Sequence, residues 1–468
     1  MEKAINRREF IRNLSKVVFS QGLTVFSGVL VGFIVPKVLG VTGYGFYRLY
    51  TMYFVYTSLL HFGFVDGVLL RYAGCSYTEL DKAQMRTLSL FYMVFQAAMG
   101  VLFVAAGFWI GASDYGFICM MLGLNLFVTN TMTYFQFISQ ATQRFTEFSL
   151  RNSLVSSAKI VICLVLLAMY WRTGAYVSYK LYLTLLFLVD SAMLLWYVRT
   201  YRDIIFGSRH SLSDEKTTIV RLFKTGIILT VAYQVGHLVF VLDRQFVSLL
   251  FSRETYSVYS FAYSIISLFA TMVATISTVL FPMLKSLTKE NVMRHYPAMS
   301  EMIAMISGAA LICFYPLQEI ITRFLPEYSD SLNYLRIVFP SLLLTTSISV
   351  VGFTYFKVLD RNFHYFLFGL SALLAGAALN AGAYAVAGSP EAISWASIVT
   401  LFLWLLGIRI YFWKNYRISF WKNLAYIVCV LGLYYFVFFV LGGTWLCAVV
   451  YGAAFGIFSV LFYHRRRK

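Results

Sequence analysis

Fourteen long apolar runs constrain this chain more than any other feature of its sequence. A helix needs about 20 predominantly apolar residues to cross the hydrocarbon core of a bilayer. The runs are 17–36, 46–69, 87–110, 116–138, 154–171, 181–198, 226–250, 256–281, 298–318, 333–356, 365–387, 392–412, 424–441 and 445–463. We therefore predict an all-α polytopic membrane protein with about 14 transmembrane helices.

The composition excludes the soluble classes of protein. Hydrophobic residues make up 60% of the 468 residues before glycine is counted, whereas soluble domains have about 45–50% with glycine included. Charged residues make up only 12%, about half the usual share. The loops between the runs are too short for a folded soluble domain. A soluble enzyme, a disordered protein and a fibrous repeat are thereby excluded.

The basic residues are unevenly distributed between the two sets of loops. They cluster in the N-terminal tail, in the stretch 199–224 and in the C-terminal sequence HRRRK. Of the 38 Lys and Arg residues, only eight fall on the other side: Lys37, Arg48, Arg172, Lys180, Arg244, Arg253, Arg323 and Arg336. Cytoplasmic loops carry the excess of Lys and Arg, so we predict that both termini are cytoplasmic. The net charge of +18 is then a topology signal, and no nucleic-acid partner is expected.

The two halves of the chain share a short motif. Gly43–Tyr47 opens the second run and Thr255–Tyr259 opens the eighth, and both read small–Tyr–small–apolar–Tyr. Six spans separate the copies, which predicts two six-helix lobes related by a parallel repeat, as in transporters whose halves rock around a shared cavity. The predicted domains are an N-terminal lobe at 1–198 (helices 1–6, with a short amphipathic N-terminus), a cytoplasmic linker at 199–225, a C-terminal lobe at 226–413 (helices 7–12), and two extra helices with a basic tail at 414–468.

Sequence motifs of catalysis are missing. The chain has no GxxxxGK[ST] phosphate loop, no HExxH and no GxSxG, which are motifs of ATPases, zinc proteases and serine hydrolases. Its six cysteines are scattered and form no CxxC pair, so a zinc site or a disulfide framework is not indicated. We predict that the protein is not an enzyme, contains no metal site and needs no cofactor.

Four basic residues near span ends, and one within a span, are candidates for binding an anion. Lys37, Arg48, Arg71 and Lys285 lie on spans that the repeat places around the shared cavity, as does Arg244 in the seventh run. Arg and Lys bind a diphosphate through charge-assisted hydrogen bonds. For the residues at span ends, the alternative interpretation is that they extend to the lipid headgroups and anchor the helices.

A second set of polar residues is a candidate for ion coupling. Asp243, Asn380 and Thr400 lie within the apolar runs of the C-terminal lobe, and their oxygen atoms are the ligands that a hard cation such as Na⁺ requires. Na⁺ or H⁺ is the candidate coupling ion. A simple interhelical hydrogen bond by Asn380 is the alternative. Asp243 and Arg244 are adjacent and point about 100° apart on a helix, so we expect that they are not buried in one contact.

Several loose motifs resemble one known family when taken together. They are Leu39–Tyr47, Phe62-Gly63-Phe64 with Arg71-Tyr72, Leu242-Asp-Arg244 with Thr255–Tyr259, Leu280-Phe-Pro282, Phe324–Tyr328 with Leu335-Arg-Ile337, and Leu379-Asn380. Their order and spacing resemble the polysaccharide flippases (Wzx-type, polysaccharide transporter family) of the multidrug/oligosaccharidyl-lipid/polysaccharide exporter superfamily.

This resemblance implies a cationic central cavity and alternating access. The implied substrate is an undecaprenyl-diphosphate-linked oligosaccharide, moved from the inner to the outer leaflet of the bacterial cytoplasmic membrane for surface polysaccharide biosynthesis. Membrane lipids are expected partners, and a polysaccharide polymerase and other assembly proteins are candidate partners.

Two alternatives stay open at this point. A cation-coupled drug exporter of the same superfamily would need an acidic residue in the N-terminal lobe, for which Asp66 is the candidate. A membrane glycan polymerase or ligase is disfavoured by the short outer loops.

The predicted orientation can be tested by labelling. Cysteine-accessibility tags introduced at Ser208 and after Lys468 should both report the cytoplasm, because both positions lie in basic segments. A periplasmic report from either tag would contradict the fourteen-span topology.

Overall fold

The computed structural model describes the backbone of residues 7–285, 288–441 and 445–464, and nearly all of it is helical. Side chains are described except at 1–18, 145, 275–279, 281–283, 285–287, 442–444 and 463–468. The α-helices are α1 Arg7–Thr57, α2 Phe64–Tyr72, α3 Lys82–Ile110, α4 Asp114–Ala141, α5 Phe145–Thr173, α6 Tyr179–Thr200, α7 Leu212–Leu250, α8 Arg253–Lys285, α9 Lys289–Ala310, α10 Phe314–Phe324, α11 Ser331–Val338, α12 Ser341–Thr346, α13 Phe353–Val358, α14 Asn362–Ala387, α15 Pro390–Tyr416, α16 Trp421–Leu441 and α17 Trp445–His464. The described ranges contain no β-strand.

The prediction of an all-α polytopic membrane protein is confirmed. Thirteen helical stretches in the described residues are long and apolar enough to cross a membrane. The first of them, Phe19–His61, covers most of the first predicted run and most of the second. Each of the other stretches overlaps one remaining run. Gly40, with φ 65° and ψ 173°, breaks α1 between these two runs. The difference between thirteen and fourteen therefore arises because two predicted spans form one kinked element.

The chain divides into two compact units. The N-terminal unit is Met1–Gln234 and the C-terminal unit is Val235–Lys468. The division falls within α7, which begins at Leu212. The predicted lobes at 1–198 and 226–413 stay predictions. At the other end of the first unit, α1 begins at Arg7 and continues without a break into the first span.

The polar stretch between α6 and α7 is packed against the N-terminus of α3. Arg86 donates from Nε to the Asp203 carbonyl oxygen at 2.8 Å, and the Tyr77 hydroxyl donates to the Asp203 carboxylate at 2.7 Å. Lys82 forms an ion pair with that carboxylate at 3.1 Å. Burial raises the pKa of the Asp203 carboxyl, but the hydrogen bonds from Tyr77 and Lys82 outweigh burial and hold the pKa below its ordinary value. This stretch, predicted as a linker, is thus fixed to the N-terminal unit.

The two copies of the repeated motif occupy similar positions in their own units. The first copy follows the break at Gly40, and the second follows the interruption between α7 and α8. Tyr44 and Tyr256, the first tyrosines of the two copies, are both buried. Each motif therefore opens a helical stretch and faces the interior of its unit.

Glycines allow α2 and α7 to touch through their backbones within the N-terminal unit. A Cβ added at Gly226 would collide with the Gly63 carbonyl oxygen and come within 2.5 Å of the Gly67 nitrogen. A Cβ at Gly67 would come within 2.7 Å of the Leu222 carbonyl carbon. Gly63 has φ +83°, which glycine adopts without steric strain. Only glycine permits this crossing.

We predict that Gly226→Ala lowers the stability of the protein. The added methyl group must push backbone aside, and overpacking of this kind costs about 1–3 kcal/mol. The measurement is thermal unfolding of the protein purified in detergent. The matched control is Gly22→Ala on α1, where a Cβ would meet no atom within 4 Å. An unchanged melting temperature for Gly226→Ala would refute the close crossing.

Candidate functional site

The three basic candidates of the N-terminal unit lie in different surroundings. Lys37 and Arg48 are half-buried on α1, on either side of the break at Gly40. The Arg48 guanidinium lies 6.0 Å from the centre of the Tyr44 ring. Arg71 is exposed in the last turn of α2, and no carboxylate lies within ion-pair distance of it in the described part of the chain. Arg71 is therefore the candidate most accessible to an anion.

The basic candidates of the C-terminal unit are Arg244 and Lys285. Arg244 is half-buried on α7, where its guanidinium donates to the Phe240 carbonyl oxygen and lies 5.1 Å from the centre of the Tyr263 ring. Lys285 ends α8, and its side chain lies outside the described residues.

Asp243 anchors a buried polar cluster in the C-terminal unit. Its carboxyl group is 3% exposed and accepts a hydrogen bond from the Tyr259 hydroxyl at 3.0 Å. Ser394 on α15 donates to the Tyr259 hydroxyl at 3.4 Å, and Tyr263 lies one turn after Tyr259 on α8. Because buried polar groups need hydrogen-bond partners, this cluster joins α7, α8 and α15.

The expectation about Asp243 and Arg244 was wrong. The two side chains approach each other to 3.9 Å between Asp243 Oδ1 and Arg244 Nε, with only 3% and 12% of the side chains exposed. The backbone N–H of Arg244 also donates to Asp243 Oδ1 at 2.7 Å. The Cβ directions do diverge, but the long Arg244 side chain folds back along α7 toward Phe240 and stays beside the carboxylate.

Asn380 and Thr400 lie near this cluster. A Cβ at Gly376 on α14 would meet Thr400 Cγ2 at 2.8 Å and Leu242 Cδ2 at 3.0 Å, so α7, α14 and α15 meet at this glycine. Asn380 follows one turn later on α14 and is 1% exposed. Its Oδ1 atom is buried and accepts no hydrogen bond in the described structure. The three ion-coupling candidates therefore lie on helices that pack against one another.

The oxygen atoms of the three ion-coupling candidates suit a hard monovalent cation better than a transition metal. The described residues contain no group of three or more His, Cys, Asp or Glu side chains that could hold a metal ion. Asp243 and Asn380 offer oxygen atoms, and a carboxylate can accept about four hydrogen bonds or ligands. Asp243 uses only part of that number in its hydrogen bonds with the Tyr259 and Tyr263 hydroxyls and the Arg244 backbone N–H.

Sequence reasoning missed the residues that hold Asp243. Tyr259 ends the repeated motif. Because a Tyr hydroxyl inside a membrane needs a hydrogen-bond partner, the sequence could have indicated that this hydroxyl bonds to a polar residue of another helix. Ser394 gave no signal, because a serine in an apolar run can equally bond to its own helix. Here the Pro390 carbonyl oxygen, 3.1 Å from the Ser394 hydroxyl, is the alternative acceptor for the one hydrogen that this hydroxyl can also donate to Tyr259.

Asp66, the acidic candidate for drug export, lies in the N-terminal unit. Its carboxylate accepts a hydrogen bond from the Thr230 hydroxyl of α7. This contact lies one helical turn beyond the crossing at Gly226. Asp66 therefore links α2 to α7 through this hydrogen bond.

Solved structures with a similar fold are membrane transporters. The lipid II flippase MurJ, in an inward closed conformation, matches with a TM-score of 0.71 and 14% identity over 98% of this chain and 100% of that chain. An inward-facing MATE multidrug transporter of the MOP superfamily matches with a TM-score of 0.60 and 15% identity over 85% and 96%. A Vibrio cholerae MATE transporter matches with a TM-score of 0.55 and 11% identity over 86% and 98%. At these identities the likeness establishes the fold alone.

Sequence comparisons establish the family. No curated protein sequence matches this chain. The family model described as polysaccharide biosynthesis protein matches residues 10–288, which is more than half of the chain. This multi-pass membrane protein, with the fold of the MurJ and MATE transporters, therefore belongs to the polysaccharide biosynthesis protein family.

Proposed function

We propose that this protein flips an undecaprenyl-diphosphate-linked oligosaccharide from the inner to the outer leaflet of the bacterial cytoplasmic membrane by alternating access. The observation that carries the proposal is the family match over residues 10–288. The similarity in fold to a lipid II flippase and to MATE transporters supports a transporter over a polymerase or ligase. The proposal includes a cytoplasmic location for both termini, and a polysaccharide polymerase and other assembly proteins as partners.

The physical barrier to this reaction is dehydration of the head group. Sugar hydroxyls and phosphates lose their hydrogen bonds to water in hydrocarbon, at a cost of several kcal/mol for each group. A protein lowers this barrier without a catalytic group by offering polar and cationic side chains along the path. The 34 tyrosines of the chain suit this task, because a Tyr ring packs on a sugar face while its hydroxyl forms a hydrogen bond.

The basic residues supply the diphosphate contacts in this proposal. Arg71 is exposed at the end of α2, where it would meet the anion on entry. Arg244 is only partly satisfied: its Nε atom has no hydrogen-bond partner among the described residues and lies 3.9 Å from Asp243 Oδ1. Lys37, Arg48 and Lys285 are assigned to the same path. A guanidinium binds phosphate through two parallel hydrogen bonds.

Ion coupling is the second part of the proposal. We assign Na⁺ to the oxygen atoms of Asp243, Asn380 and Thr400, because the buried Oδ1 of Asn380 accepts no hydrogen bond in the described structure and a hard cation prefers such oxygen ligands. Binding of the cation beside Asp243 would weaken the hold of that carboxylate on Arg244 and so release the guanidinium for the diphosphate. H⁺ on the Asp243 carboxyl is the alternative coupling ion.

Drug export by the same fold is the second candidate function. Two of the similar structures are MATE transporters, but Asp66 is already bonded to Thr230. The family match favours the glycan substrate.

We predict that Arg71→Ala and Arg244→Ala each cut polysaccharide export severely in a complementation assay, while the protein still accumulates in the membrane. Loss of one hydrogen-bonded donor to a charged group costs about 1.5–3 kcal/mol, which is about 10- to 150-fold in binding. The matched control is Arg172→Ala, an exposed residue of the last turn of α5. Lys180→Ala is a second control, since Lys180 is paired with Asp114 at 2.9 Å. Equal tolerance of all four substitutions would show that these cations only anchor helix ends.

We predict that transport into vesicles depends on a sodium gradient and that Asn380→Ala and Asp243→Asn remove this dependence. The reason is the loss of an oxygen ligand in the first variant and of the negative charge in the second. The measurement is flipping of a lipid-linked oligosaccharide in proteoliposomes with Na⁺ or K⁺ gradients. Ser371→Ala, an exposed position on α14, is the control. If the wild type responds equally to both gradients, sodium coupling is wrong, and the flippase proposal stands or falls on the export assay alone.

A further inference from the structure

Arg409 is a buried cation without a carboxylate partner. It lies on α15 in the C-terminal unit and is 2% exposed. No ion pair joins it to an acidic side chain in the described part of the chain. Glu301 follows the contact residue Ser300 on α9 and is 6% exposed, but it forms no ion pair with Arg409 in that part of the chain. The guanidinium therefore has no carboxylate within ion-pair distance among the described residues.

One side of the guanidinium is satisfied and the other is not. Nη1 donates to the Ser300 hydroxyl at 2.8 Å and to the Tyr296 hydroxyl at 3.2 Å, and both of these residues lie on α9. Nε and Nη2 are buried and have no hydrogen-bond partner among the described residues. These two nitrogens form one edge of the planar group, and such an edge presents two parallel N–H bonds to an acceptor.

A tyrosine hydroxyl is unsatisfied in the same neighbourhood. Tyr355 on α13 is 0% exposed, and its hydroxyl has no hydrogen-bond partner in the described structure. Its ring packs edge-on against Tyr296, with 4.9 Å between ring centres. Tyr296 in turn bonds to Arg409. Three buried donor groups from α13 and α15, all in residues that contact Tyr296, thus lack an acceptor in the described structure.

The energetics require a negative ligand. Arginine stays protonated in proteins, so Arg409 cannot reduce its charge when buried as a lysine can. An unpaired charge buried in a protein is strongly destabilising, and each unsatisfied buried polar group adds to that cost. A bound anion would balance the charge and accept the free hydrogen bonds at once.

We propose that Arg409, with Tyr355, binds a small monovalent inorganic anion such as chloride inside the C-terminal unit. A monovalent ion matches the single charge, whereas a phosphate dianion would leave excess negative charge in a site of 2% exposure. The bound anion fastens α9, α13 and α15 together. This site is separate in role from the diphosphate path and does not rest on the proposed transport function.

The test is anion-dependent stability of the purified full chain in detergent, without any lipid-linked glycan. Melting temperatures are compared in sodium chloride and in sodium gluconate at equal ionic strength, so the sodium concentration does not change. A ligand present in large excess over its dissociation constant stabilises the folded state that binds it, so we expect a rise in melting temperature of several degrees in chloride. Arg409→Met should remove this rise, and Lys414→Met, an exposed residue on the same helix, should keep it.

Direct binding decides the case if Arg409→Met does not accumulate. Equilibrium dialysis with radioactive chloride should give one site per wild-type chain, displaced by bromide and not by gluconate. Tyr355→Phe should weaken chloride binding about tenfold, because one donor to a charged acceptor is lost. A wild-type protein that binds no chloride and melts equally in both salts would overturn the proposal. Retention of full chloride binding by Arg409→Met would overturn it as well.

Discussion

The absence of water in the hydrocarbon core is the constraint on which this structure depends. Backbone groups must be satisfied within each segment, and the chain meets this requirement with helices throughout its described ranges. The same constraint makes helix association depend on close packing, since lipid tails are as apolar as the side chains they replace. The glycine contact between α2 and α7 is an example, because the helix backbones approach only where no Cβ intervenes.

Side-chain charges in the same medium are handled in two ways within the C-terminal unit. Asp243 is surrounded by donors: a phenol, a backbone N–H and a nearby guanidinium. Arg409 has two hydroxyl acceptors but no carboxylate within ion-pair distance in the described structure. The first arrangement holds an anionic group that a cation can join. The second holds a cationic group that an anion can join. Each is proposed as a site because its own protein partners leave hydrogen-bonding capacity unused in the described structure.

The sequence is sufficient to predict the membrane-spanning helices, but not which side chains of different helices contact one another. Apolar runs of about 20 residues have one stable solution in a bilayer, so 12 of the thirteen helical stretches each overlap one predicted run. The start of α7 at Leu212 could not be predicted from an apolar run, because residues 212–225 are mostly polar. This part of the helix is stabilised by packing on α2 and α3. Arg409 lies inside the predicted run 392–412, and the sequence does not mark it as a candidate ligand. Its surroundings depend on Tyr296 and Tyr355, which are distant in sequence. Asp243, Asn380 and Thr400 were recognisable as polar residues in apolar runs, whereas Ser394 was not.

Whether a basic residue forms an ion pair with a carboxylate is a better guide to its role than its position along a span. A paired residue suits a role in anchoring its helix, and an unpaired one suits binding of the diphosphate. Lys82 is held by Asp203 at 3.1 Å, and Lys180 by Asp114 at 2.9 Å, so an incoming anion would have to displace a carboxylate from either. Arg71 is exposed without such a partner among the described residues, and Arg244 is held at 3.9 Å from a carboxylate, beyond hydrogen-bond distance. A diphosphate gains most from the cations that the fold has not already neutralised. This difference in pairing is the physical basis for proposing Arg71 and Arg244 as ligands of the diphosphate.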